Sequence, residues 1–150
     1  MTDPHLTRHD TVDGSARAMI LVLHGGKPRS TQSVDGRSAS WRRVLWLQRE
    51  IAGRAHAADV GVWSARYRTR GWNGGRGPQA DARWALDQLR AELGEVPVVL
   101  LGHSMGARVA VHVADDPSVV GVVGLAPWWS AEDPVHTLAG RRLRAAPGRR

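Results

Sequence analysis

Residues 96–106 read Val-Pro-Val-Val-Leu-Leu-Gly-His-Ser-Met-Gly, and they leave the fold little choice. An unbroken apolar run suits a strand covered on both faces. It ends in Gly-x-Ser-x-Gly, and residues 107–114 then carry a helical pattern. A strand that turns directly into a helix has no room for side chains at the corner. Gly102 and Gly106 therefore mark a sharp turn with Ser104 at its tip, in a strained conformation. The Ser104 hydroxyl would stand beside the positive end of the helix, which makes Ser104 the candidate nucleophile.

Three further apolar runs, residues 18–23, 60–63 and 119–126, read as buried strands alongside residues 96–101. Between the first pair, Trp41, Val44, Leu45, Ile51, Ala52 and Ala55 fall on one side of a helix; later, Ala82, Ala85, Leu86, Leu89 and Leu93 do the same. This alternation predicts an α/β fold, a mostly parallel sheet with helices on both faces. Residues 25–39 and 70–78 read as loops, and loops that follow strands gather at the carboxyl edge of such a sheet, where ligands bind. Residues 1–16 lack periodicity and are expected to form a loose N-terminal arm before a single domain over 17–150.

Composition narrows the function classes. The chain has 150 residues, no cysteine and a formal charge of +7. Without cysteine there is no disulfide, metal-thiolate site or cysteine nucleophile, and a reducing cytoplasm is the expected compartment. Arg141, Arg142, Arg144, Arg149 and Arg150 crowd the C-terminal end, so the positive charge is not spread over a nucleic-acid-binding face. No apolar run approaches the roughly 20 residues of a membrane-spanning helix. Neither a metal-ligand cluster nor a phosphate-binding glycine loop is present, so no metal or cofactor is expected and the anticipated partner is a small acyl substrate.

Acyl transfer requires donors for the oxyanion of a tetrahedral intermediate. The N–H of Met105, next to the nucleophile, is one candidate. The other is expected from Leu23-His24-Gly25-Gly26 at the end of a neighbouring strand, where Gly25 and Gly26 let the backbone approach a substrate.

With His24-Gly25-Gly26 and Gly102-His103-Ser104-Met105-Gly106, the chain resembles the α/β-hydrolase family from about residue 18 to about residue 140. The resemblance implies a serine hydrolase acting on an ester, thioester or amide, with Ser104 as nucleophile and Gly25, Gly26 and Met105 forming the oxyanion hole. It also implies an acid after the second strand beyond the elbow strand and a histidine beyond one more. Residues 141–146 begin that second strand, and Pro147-Gly148-Arg149-Arg150 follow. The expected domain is thus partial, shortened at its C-terminal side, with an exposed sheet edge that invites self-association.

The remaining histidines, carboxylates and loop residues divide between site roles and structural ones. His103 reads as a packing residue and His24 as one that orients the oxyanion loop. His112, four residues after Arg108 on an otherwise apolar helix, reads as solvent-facing. His136 is the candidate substitute base. Glu132 and Asp133 follow the fourth strand, either as the acid or as solvated loop residues; Asp115 and Asp116 lie on the opposite edge of the sheet. Trp128 and Trp129 are candidates for an apolar acyl pocket or for packing, and Arg70 for holding a substrate carboxylate or for solvation. The competing reading is a noncatalytic fragment or binding module on a hydrolase scaffold without a complete triad.

Overall fold

The computed structural model describes residues 3–148. A six-stranded sheet is formed by β1 (His5–His9), β2 (Ala18–Leu23), β3 (Val60–Arg66), β4 (Val98–His103), β5 (Val119–Leu125) and β6 (Arg142–Ala146), in the order β1-β3-β2-β4-β5-β6. All neighbours run parallel except β1, which is antiparallel to β3. Three helices connect the strands: α1 (Ala39–Ala57), α2 (Arg76–Leu93) and α3 (Met105–Val113).

This order follows from the crossovers. The chain leaves β2 through α1 and enters β3 on one side, then returns through α2 to β4 on the other. Right-handed connections in opposite directions put α1 and α2 on opposite faces, and α3, which continues in the direction of α2, joins it. Accordingly α2 and α3 pack on each other, whereas α1 lies against β2 and β3. The chains leaving β2 and β4 therefore diverge to opposite faces, and a crevice opens between their carboxyl ends. Both sequence motifs lie at its rim.

The predicted core forms as expected: Leu21, Val22, Leu23, Val62, Trp63, Val98 and Leu100 are fully buried between the helical layers. Helix α1 adds one polar group to it, because Gln48 donates to the carbonyls of Thr7 and Val62 and accepts from the Ser64 hydroxyl.

Two expectations need correction. Residues 5–9 are not a loose arm but the edge strand β1. Its sequence, His-Leu-Thr-Arg-His, has no apolar alternation. It is held instead by its ladder to β3, by the Gln48 bond, and by Arg8 stacked 4.3 Å from the Trp63 ring centre. The loop over 70–78 is shorter than expected, since α2 begins at Arg76 and takes Pro78 into its first turn, where no N–H is needed. Trp72, within that loop, is buried.

Strand β6 pairs with β5 over Arg142–Ala146, and all five of its residues are exposed. Its entry is fixed by Arg141, which donates to the carbonyls of Val119 and Asp116. Arg149 and Arg150 lie outside the described residues, as do Met1 and Thr2 of the expected arm.

Candidate active site

Ser104 sits between β4 and α3 with φ 55° and ψ −115°, a backbone conformation that disfavours any residue with a side chain. The surroundings hold it there. Its N–H donates to the Leu125 carbonyl at 2.9 Å, and its own carbonyl accepts from the N–H groups of Ala107 and Trp128. Both flanking glycines are required sterically: a Cβ on Gly102 would strike the backbone of Gly106 and Ala107, and one on Gly106 would lie 2.6 Å from the Leu23 carbonyl carbon and 2.8 Å from the His24 oxygen. The elbow and the end of β2 are thus in main-chain contact.

Across the crevice, a Cβ built on Gly25 would stand 3.3 Å from Ser104 Cβ and 3.4 Å from Ser40 Oγ, while one on Gly26 would meet the Met105 side chain at 2.9 Å and the Arg70 carbonyl. Ser104, Gly25, Gly26 and Met105 are therefore neighbours, although 78 residues of chain separate Gly25 from Ser104. Met105 opens α3, so its N–H has no acceptor within the helix. A hollow of about 240 Å³ beneath Gly25 and Gly26 extends to Ser40 and the start of α1.

His24 keeps the loop in shape. Its Nδ1 donates to the Gly25 carbonyl at 2.7 Å and its Nε2 accepts the Tyr67 N–H at 3.1 Å, which assigns the neutral tautomer. Burial lowers its pKa to about 4; the Gly25 bond opposes this in part, and the nearby Arg66 charge adds a smaller lowering. With both nitrogens committed, His24 orients the loop and is not available as a base. His103 lies on the other side of the turn among Arg43, Leu47 and Leu125, where burial and then Arg43 lower its pKa.

The structure corrects the reading of His112 as solvent-facing. Its Nε2 is 2.9 Å from Asp133 Oδ1, the same oxygen that accepts Arg108 Nε at 2.8 Å, and its ring packs 5.3 Å from that of Trp72. Asp133 Oδ2 accepts the Ser130 N–H at 2.8 Å. Burial pushes the Asp133 carboxyl up, but the Ser130, His112 and Arg108 hydrogen bonds outweigh it and hold the group below the usual carboxylate range. His112 and Asp133 thus form a paired acid and imidazole, but His112 lies eight residues beyond Ser104, about 12 Å along a helix axis.

Among the described residues, no histidine or carboxylate is hydrogen-bonded to the Ser104 hydroxyl. His136 stands exposed on a short turn of 3-10 helix. Glu132 is exposed, Asp115 pairs with Arg83, and Asp116 binds Arg90 and Ser118. Arg70 donates to Asp35 and to the Ser33 carbonyl, so its guanidinium pins the 33–35 loop.

The two adjacent tryptophans diverge. The Trp129 indole donates to the Ala107 carbonyl at 2.9 Å and its ring lies over Gly124, so it fastens the post-β5 loop to α3. Trp128 lines a cavity of about 660 Å³ together with Trp72, Arg108 and Arg29. The only sequence signal for Arg108 is its spacing from His112 on an otherwise apolar helix. Among the described residues, no three His, Asp or Glu side chains converge as a metal site, and no helix is long and apolar enough to cross a membrane.

The comparisons agree with this architecture. The family model described as "Alpha/beta hydrolase family" matches residues 20–150. No curated protein matches the chain. Among solved structures, an α/β serine hydrolase without lid from Xanthomonas campestris is 16% identical with a TM-score of 0.59, covering 98% of this chain and 85% of that one. An α/β serine hydrolase homologue from Coxiella burnetii is 14% identical with a TM-score of 0.62, covering 97% and 81%. A Staphylococcus aureus protein of unknown function is 16% identical with a TM-score of 0.56; the match covers 83% of this chain but only 41% of that protein's length. By its family match, its sheet order and its strand-turn-helix corner, the chain belongs to the alpha/beta hydrolase family.

Proposed function

We propose that this hydrolase works through Ser104 on a small ester, thioester or amide, with the N–H groups of Met105 and of the Gly25-Gly26 segment stabilising the oxyanion. The observation that carries this reading is the strained Ser104 backbone, φ 55° and ψ −115°, held at the start of α3 and in contact with Gly25. Strain of this kind persists only where the surrounding structure over-determines it, and it gathers at functional sites.

In the reaction, Ser104 Oγ bonds to the substrate carbonyl carbon while its proton passes to a base, and the carbonyl oxygen becomes the oxyanion. Collapse breaks the bond to the alcohol, thiol or amine, which leaves with a proton; water then attacks the acyl-enzyme, releasing the acid and restoring the hydroxyl. The donors in question are backbone groups, fixed before substrate arrives, so little reorganisation is required as charge develops. The absence of cysteine favours the cytoplasm as the place of action.

A second reading is a hydrolase scaffold that binds without catalysis. It is favoured by the commitments of His24 and His112 to other partners, which leave the Ser104 hydroxyl without a histidine among the described residues. A fluorophosphonate probe separates the two, because strong labelling requires an activated hydroxyl. We expect labelling of the parent protein and none of Ser104→Ala. Absence of labelling in the folded parent favours the binding scaffold, and a p-nitrophenyl esterase rate unchanged by Ser104→Ala would sink the nucleophile assignment.

A further inference from the structure

Helix α3 is apolar from Met105 to Val113 apart from Arg108 and His112. The Arg108 side chain is only 12% exposed and is restrained on three sides. Its Nε donates to Asp133 at 2.8 Å, and its guanidinium carbon lies 4.4 Å from the Trp72 ring centre and 4.9 Å from that of Trp128. Among the described residues its two terminal nitrogens have no hydrogen-bond partner. A guanidinium held through Nε, with two indole rings beside it that stand at 76° to each other, leaves those N–H groups for the 660 Å³ cavity that Arg108 lines.

The cavity favours anions. Arg29 adds a second guanidinium to its lining, and no carboxylate among the described residues lines it. The Arg108 charge is matched by Asp133 behind it, so Arg29 supplies the net positive charge. The walls are fixed as well: Asn73 accepts the Ser30 N–H at 3.0 Å and donates back to the Ser30 carbonyl at 2.7 Å, clamping one loop to the other. A purely structural Arg108 needs only its Nε bond and its ring contacts; it has no use for a fork of free donors in a recess, and that fork matches a carboxylate in two parallel hydrogen bonds.

The cavity also adjoins the elbow. Arg108 is one helical turn past Ser104, about 6 Å along the axis, and long helical side chains lean back toward the N-terminus. Trp128, on the cavity wall, donates its N–H to the Ser104 carbonyl at 3.2 Å. We propose that this recess is a carboxylate subsite, and that the acyl substrate attacked by Ser104 carries a free carboxylate at the far end of a short chain. The substrate assignment rests on Ser104 being the nucleophile; the subsite itself does not.

The test uses the monomethyl ester of adipic acid and its uncharged isostere methyl 6-methylheptanoate, in which an isopropyl group replaces the carboxylate. Calorimetric titration of the 150-residue Ser104→Ala chain is expected to show the charged ester bound about tenfold more tightly or better. Adding Arg108→Gln should abolish that preference, and adding Arg29→Gln, a surface change that spares the core, should reduce it about threefold. In the parent protein the same preference should appear in KM for ester hydrolysis, with kcat similar for the two esters. Equal affinity for the two esters overturns the proposal, as does a preference that Arg108→Gln leaves in place, or that Arg29→Gln does not reduce, in folded protein. A preference in binding with no hydrolysis of either ester would support the subsite and count against Ser104 catalysis instead.

Discussion

The two walls that flank Ser104 are built from different materials. On the β2 side the wall is main chain: Gly25, Gly26, Gly102 and Gly106 bring backbone against backbone and against the Ser104 and Met105 side chains. On the β5 side it is side chain: Arg108, His112 and Asp133 share charge and hydrogen bonds, and the Trp72 and Trp128 rings lie 4.4 and 4.9 Å from the guanidinium carbon. The first wall has no freedom to adjust, since any Cβ added at Gly106 meets covalent backbone. The second is held by side-chain bonds, each of which one substitution removes. A site made this way has a centre fixed by covalent backbone and a flank fixed by side chains, so substitution alters the flank more readily than the centre.

The largest predicted effect attacks the rigid wall. Gly106→Ala should cost at least about 3 kcal/mol, because the new methyl group must displace the end of β2; chemical denaturation measures it, and a loss below about 1 kcal/mol would mean that the two strand ends are not in contact.

The second effect is pH-dependent and belongs to the same wall. The His24 pKa is about 4 in the fold, below its ordinary 6.5, so the folded state binds fewer protons than the unfolded one between those values. Stability attributable to His24 is therefore intact above about pH 6.5 and is lost as pH falls toward 4, by on the order of 3 kcal/mol. Melting curves across that range should show the decline, and His24→Asn should flatten it.

On the side-chain wall, Asp133→Asn should cost on the order of 2 kcal/mol, as it leaves the Arg108 and His112 groups without their shared carboxylate. Because the Asp133 pKa is held below the usual carboxylate range, the contribution is present at neutral pH and is lost only as pH falls through that lowered value. An acid transition identical in the parent and Asp133→Asn proteins would show that the cluster contributes little.

Ser104→Gly should abolish labelling yet raise stability by about 1 kcal/mol, by releasing the strain of a positive φ that glycine adopts freely. The smallest effect concerns the outer edge. We expect the exposed β6 strand to promote weak self-association, and Leu143→Lys, which places charge on that edge, to reduce it in sedimentation velocity.

The legibility of these regions tracks their chemistry. The four buried strands were readable because continuous apolar runs have few other fates, and the elbow because two glycines around a serine between strand and helix describe a corner. Strand β1 was not readable: His5–His9 pairs through its backbone and draws its side-chain support from Gln48 and Trp63, far along the chain. His112 was misread because its spacing from Arg108 describes a polar stripe, and nothing nearby reveals that Asp133 folds over that stripe.

The sequence by itself thus determined the α/β scaffold, the position of Ser104 and the glycines that let backbones meet, because each follows from local sterics or from short-period hydrophobic patterning. Only the tertiary structure decided which charged and aromatic groups converge beside the serine. Arg108 and Asp133 are 25 residues apart, and they meet because β5 returns the chain to the carboxyl edge beside α3. Long-range pairing of that kind is set by the packing of whole elements, which no spacing of residues along the chain encodes.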